Sequence, residues 1–123
     1  MKNFKKKILI IDPDEKDRES LLSLLQHKDY QVETGKGLTD AIKKITSNHF
    51  HCVIMAVELP EMKGFEAVSI IKNIDADTKV IMTTKKNTKE LEAKVREQDI
   101  FYYFIKSFGK EELKLAIKNA FSK

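Results

Sequence analysis

The sequence predicts an α/β fold, a doubly wound parallel sheet with five strands and five helices covering both faces. Three observations predict it. Short apolar runs alternate with stripes at helical spacing five times along the chain, and short connections join them. The first and third runs are apolar at nearly every position, as strands covered on both faces require. Right-handed crossovers between parallel strands then place helices on either side of one sheet.

Lys7-Ile-Leu-Ile-Ile11 reads as the first strand, and Leu21, Leu22, Leu24 and Leu25 stripe the helix after it. Tyr30 to Thr34 is a short, half-buried strand, followed by a helix marked by Leu38, Ile42 and Ile45. Cys52 to Val57 is a buried strand, with Phe65, Val68 and Ile71 on its helix. Val80 to Thr84 is the fourth strand. Asn87 reads as the N-cap of the next helix, with Glu90 three residues on in a capping-box arrangement. Ile100 to Ile105, aromatic and β-branched, is the fifth strand, and Leu113, Ile117, Ala120 and Phe121 stripe the last helix.

Composition removes several classes. A chain of 123 residues and 14.2 kDa predicts one domain over residues 1–123, with 41% apolar and 34% charged residues to build a core under a solvated surface. One cysteine, Cys52, excludes a disulfide framework and a thiolate metal cluster, and reads as a small core hydrophobe in a reducing, cytoplasmic setting. No apolar run spans a bilayer, so no membrane segment is expected. The basic start, Met1 to Lys7, precedes only Ile8 to Ile11 before Asp12, too little for a secretory signal. The net charge of +4 is uneven: from Lys79 onward eleven Lys or Arg face six Asp or Glu. Such a basic third reads first as a solvated, lysine-rich helical surface, and second as a surface for an acidic partner or nucleic acid. Lysine predominates over arginine without interleaved aromatics, which argues against nucleic acid.

In a doubly wound sheet, function gathers at the carboxyl ends of the strands. These ends carry Asp12, Pro13 and Asp14; Ala56, Val57 and Glu58; Thr83, Thr84 and Lys85; and Lys106 and Ser107. With Leu59-Pro-Glu-Met-Lys-Gly-Phe-Glu66 after the third strand and Tyr103 three residues before Lys106, they carry a resemblance. The chain resembles the receiver domains of bacterial two-component response regulators over essentially its whole length. The resemblance implies a flavodoxin-like sheet of strand order 2-1-3-4-5 and a role in phosphorelay signal transduction. Asp12 matches the first of the family's acidic pair, Thr84 its switch hydroxyl, Tyr103 its switch aromatic and Lys106 its lysine.

Three positions depart from that pattern. The family's phosphoacceptor aspartate corresponds to Ala56, whose methyl can neither attack phosphorus nor bind metal. Pro13 stands where the second acid would ligate Mg²⁺, an ion that needs oxygen donors near octahedral geometry. Glu58 falls where the family offers a backbone carbonyl. Mg²⁺ binding is therefore expected to be weak or absent, with no cofactor and no catalysis by the domain. Ser107 replaces the usual proline, and a non-proline cis bond costs about 2.5–4 kcal/mol, so a trans bond is expected. Lys106 would be costly if buried alone, so it is expected to pair with Asp12 or Glu58. Asp14 is expected to act as a favourable charge at the first helix N-terminus.

The expected function is a pseudo-receiver: a protein-interaction module independent of aspartyl phosphorylation. Its partner would be a kinase, an output protein or a second copy of itself. Thr84 and Tyr103 survive as switch residues. Lys85, Lys86, Lys89, Lys94, Lys110, Lys114 and Lys118 are assigned to a docking surface made by the fourth helix, fifth strand and fifth helix. The alternatives are a phosphorelay receiver using Thr83, Thr84 or Glu58 as acceptor, and a basic nucleic-acid or ligand-binding module. Gly35-Lys-Gly37 lacks the third glycine of a dinucleotide fingerprint and reads as a turn. His49 and His51 are expected to face opposite ways, which would prevent a shared metal.

Overall fold

The computed structural model describes residues 5–107 and 109–122. Its elements in chain order are β1 (Lys6–Ile11), α1 (Glu15–Leu24), β2 (Tyr30–Gly35), α2 (Leu38–Ser47), β3 (Cys52–Ala56), α3 (Gly64–Ile74), β4 (Lys79–Thr84), α4 (Lys89–Arg96), β5 (Tyr102–Ile105) and α5 (Lys110–Phe121). The strands form one sheet of order β2-β1-β3-β4-β5, with every pairing parallel. The alternation predicts the doubly wound parallel sheet, and its order is the flavodoxin-like one that the resemblance implies.

The continuous apolar runs have a direct structural cause. Side chains alternate across a strand, and here each side meets a helical layer. Leu9 and Ile11 of β1, with Val53 and Met55 of β3, pack into one core with Ala41 of α2 and Val68 of α3. Ile8, Ile10 and Ile54 face the opposite way, against Leu21 of α1 and Leu113 and Ile117 of α5. Cys52 lies in that second core with no exposure, and burial pushes its thiol up to about 12, so it packs as a hydrophobe.

Five strand ends move by one or two residues: β1 starts at Lys6, β2 runs to Gly35 and β4 starts at Lys79, each one residue longer than expected, while β3 and β5 are shorter. β3 stops at Ala56, one residue early, although Val57 N–H still reaches the Thr83 carbonyl at 2.9 Å. β5 starts at Tyr102, because Ile100 turns back onto Gln98 and only Phe101 N–H meets β4, at Val80. The expected cap of α4 is also corrected. Thr88, not Asn87, accepts from Leu91 N–H at 3.0 Å, and Asn87 is left to bridge Tyr103 and Glu92. Threonine one residue closer to the helix supplies the oxygen that the first turn needs.

Helix α2 begins after Gly37, which has no capping side chain. The cap comes from elsewhere: Glu61, in the loop after β3, accepts from Leu38 N–H at 2.8 Å and Thr39 N–H at 3.1 Å. Those two N–H donors hold the Glu61 carboxyl below the usual glutamate range. A lowered folded value gives stability that is complete above the ordinary glutamate range and lost as pH falls through the lowered one. Glu61→Gln is therefore expected to weaken the fold at neutral pH and to flatten its loss of stability in acid. Urea melts from neutral to acid pH check this; an unchanged acid limb would contradict it.

Candidate functional site

The carboxyl ends of β1, β3, β4 and β5 open onto a cavity of about 400 Å³. Asp12, 2% exposed, sits just past β1, where its N–H bonds the Gly35 carbonyl of β2 at 3.1 Å. Its Oδ1 accepts from Asp14 N–H at 2.9 Å, and its Oδ2 accepts from Lys106 Nζ at 2.6 Å. Lys106 follows β5 and donates a second time, to Asp17 Oδ2 at 2.9 Å. Lys85, just past β4, then joins Asp17 to Asp14, at 3.3 Å and 3.2 Å. The result is an alternating chain of charges, Asp12, Lys106, Asp17, Lys85 and Asp14, closed by the cap of α1.

Asp14 supplies the charge expected at the start of α1 and is also its N-cap, accepting from Asp17 N–H at 3.0 Å. The same N–H, then Lys85, holds its carboxyl below the usual range, and Asp14 in turn pushes the Lys85 ammonium up. Asp17 was not singled out by sequence. The readable signal was its position three residues after an N-cap, on the helix face above the strand ends.

Of the two partners expected for Lys106, Asp12 is the one it takes, and Glu58 is not. The loop after β3 folds back through a Glu58–Lys63 bridge, with Leu59 N–H on the Met62 carbonyl at 3.2 Å. Glu58 then takes the Lys63 ammonium at 2.7 Å, its side chain 70% exposed. Ala56 pairs in register with Thr83 and presents only its methyl to the cavity. Pro13 is exposed, and the Lys106–Ser107 bond is trans, like every peptide among the described residues.

Thr83 and Thr84 also line the cavity, and Tyr103 does not. Thr83 Oγ1 is buried with no partner among the described residues. Thr84 Oγ1 donates to the Lys86 carbonyl at 2.9 Å. Tyr103 is buried, and its hydroxyl donates to Asn87 Oδ1 at 2.7 Å, with the Arg96 guanidinium 5.9 Å over its ring. Burial pushes its phenol above the ordinary value, so the proton stays available for that bond.

Two further expectations change. Lys86, Lys89 and Lys94 are exposed beside or on α4, but Lys110, Lys114 and Lys118 run along the other flank of α5, toward α1. Positions four apart on one helix share a face, and this face is not the one that meets β5. That flank is marked by Glu112, which accepts from the Tyr102 hydroxyl at 3.1 Å. His49 and His51 do not face opposite ways; their rings lie 5.1 Å apart. Both precede β3, so strand alternation does not govern them. His49 pairs with Asp75, and His51 Nδ1 accepts from Lys7 N–H at 3.0 Å.

Comparison with known proteins settles the family. The response regulator receiver domain family matches residues 8–118. The chain belongs to that family. As a receiver it is a module of two-component signalling. It is 32% identical over 114 residues to Protein PilG of Pseudomonas aeruginosa, covering 91% of this chain and 84% of PilG. The transcriptional regulatory protein SrrA of Staphylococcus aureus is 24% identical over 111 residues, and the receiver spans 46% of it. Among solved structures, the signal receiver domain of an HD domain-containing protein from Pseudomonas fluorescens Pf-5 superposes with a TM-score of 0.89 at 28% identity. That match covers 96% of this chain and 95% of the other. No helix among the described residues is long and apolar enough to cross a membrane.

Proposed function

We propose that this receiver is a protein-interaction module whose conformational state is set without aspartyl phosphorylation. The observation that carries the reading is the ion network around the Ala56 methyl. Phosphoryl transfer to a receiver needs a carboxylate oxygen to attack phosphorus, with positive charge placed to meet the incoming oxygens. Here the strand-end residue has no lone pair, and Lys106 is already neutralised by Asp12 and Asp17.

The Mg²⁺ that the family implies does not fit these residues. Asp12 has one oxygen on Lys106 and the other on the Asp14 N–H, while Pro13 and Ala56 supply no carboxylate. Asp14 and Asp17 are held by Lys85. No step of the reading passes through the metal.

What survives is a device with two arrangements. Thr84 and Tyr103 sit on the β4 and β5 ends, with Tyr103 buried against the loop before α4. A partner that binds one arrangement better shifts the population toward it, the same outcome that a phosphoryl group would produce by local charge. The proposed docking face is made by α4, β5 and α5, with exposed Lys86, Lys89 and Lys94 near it, for an output protein, a kinase or a second copy. The test is intact-mass spectrometry after incubation with a small phosphodonor and Mg²⁺, beside a phosphorylatable receiver as control. The expected result is no adduct. A phosphoryl group on Thr83, Thr84, Glu58 or Asp17 would overturn the reading in favour of a relocated acceptor.

A further inference from the structure

We propose that the seam between α1 and α5 is a docking groove for an acidic amphipathic helix of a partner protein. The proposal rests on the interaction-module reading, but not on how the switch is triggered. Two adjoining hollows, of about 120 and 230 Å³, line this seam and meet at Leu24. Leu24 and Tyr30 are half-buried in the floor, over Leu21, Leu113 and Ile117.

Along one rim, Lys110, Lys114 and Lys118 recur every four residues, about 6 Å apart along the helix. Their charges find little compensation inside the chain. Among the described residues Lys110 reaches only the Ser20 hydroxyl, at 3.5 Å. Lys114 lies 3.7 Å from Glu111, whose side chain is 90% exposed. Lys118 has no carboxylate within 4.0 Å among the described residues. The opposite rim offers Ser20, Gln26 and His27; Asp17, the one carboxylate among the described lining residues, is held by Lys85 and Lys106, and Asp29 lies 3.8 Å from His27.

A row of three cations beside an apolar trough fits a ligand with matched carboxylates on one flank and leucine-like side chains on the next. An amphipathic helix has that pattern at the same four-residue repeat. The apolar floor separates this from a nucleic-acid site, where phosphate neutralisation needs no buried hydrocarbon and exposed stacking rings are used.

The probe is a synthetic helical peptide with Glu at four-residue spacing beside a leucine stripe, titrated into the whole chain and followed by amide NMR. The expected result is shifts confined to Ser20, Leu24, Lys114, Ile117 and their neighbours. Weakening of at least tenfold is expected in the triple variant Lys110→Glu/Lys114→Glu/Lys118→Glu, and an intermediate loss with glutamine at all three positions. These side chains are exposed, and unchanged thermal melting verifies that the variants fold. No binding, or shifts centred on α4, would overturn the proposal. So would tighter binding of a DNA duplex at the same groove, or sedimentation showing the groove closed by a second copy. Phosphodonor labelling of the same sample reads the earlier proposal separately, so either can fail alone.

Discussion

Lys106→Met is expected to destabilise the fold by about 4 kcal/mol, within the range for removing one partner of a buried ion pair. Among the described residues the lysine is the only cation on the Asp12 carboxylate, and the Asp12 side chain is 3% exposed. Its loss strands that carboxylate among apolar strand ends and leaves Asp17 with Lys85 alone. Methionine keeps the length and apolar stem, so packing changes little. The double variant Asp12→Asn/Lys106→Met removes the stranded charge and is expected to recover much of the loss. Chemical denaturation of the wild type and three variants gives the cycle directly. If the double variant is no more stable than Lys106→Met, Asp12 and Lys106 are not coupled as the geometry requires.

Gly64→Ala is expected to cost about 3 kcal/mol or more, the upper part of the overpacking range. Helix α3 starts at Gly64 directly on the end of β3, with its N–H on the Val57 carbonyl. A Cβ there would collide with the Ala56 carbonyl oxygen and stand 2.9 Å from the Met82 Cε. The methionine can move, but the strand backbone cannot without displacing Ala56 and the cavity wall. Gly109, where a Cβ meets nothing within 4 Å, supplies the control: at the N-cap of α5, Gly109→Ala is expected to be near neutral, its chain-entropy gain offset by alanine's poorer fit at an N-cap. Equal effects at the two glycines would show that close approach to β3 is not what holds position 64.

The fold was legible because one physical pattern repeats. Strands buried on both faces must be apolar throughout, and the runs at residues 8–11 and 52–57 say so without help from longer-range information. The cavity residues at the strand ends followed from the sheet's handedness. Less legible were the partners chosen between elements. Lys106 could be expected to need a carboxylate, but Asp17 reaches it from 89 positions away, and only the packing of α1 over β1 and β2 brings them together. Glu61 capping a helix from another loop is the same kind of event. Thr88 displacing Asn87 turned on a single residue, within the usual slack of helix boundaries. The lysines of α5 were misplaced because spacing gives a shared face but not its neighbour.

In the proposed function, an internal network of Asp12, Lys106, Asp17, Lys85 and Asp14 occupies the place of phosphoryl chemistry. Amide NMR of the whole chain, titrated with Mg²⁺ and then with beryllofluoride as a phosphoryl mimic, tests it most directly. The account predicts spectra that stay unchanged at Asp12, Ala56, Thr84 and Lys106 through both additions. Saturable shifts clustered at those residues, spreading to Tyr103 and α4, would contradict it and show that the cavity still takes the metal and the mimic.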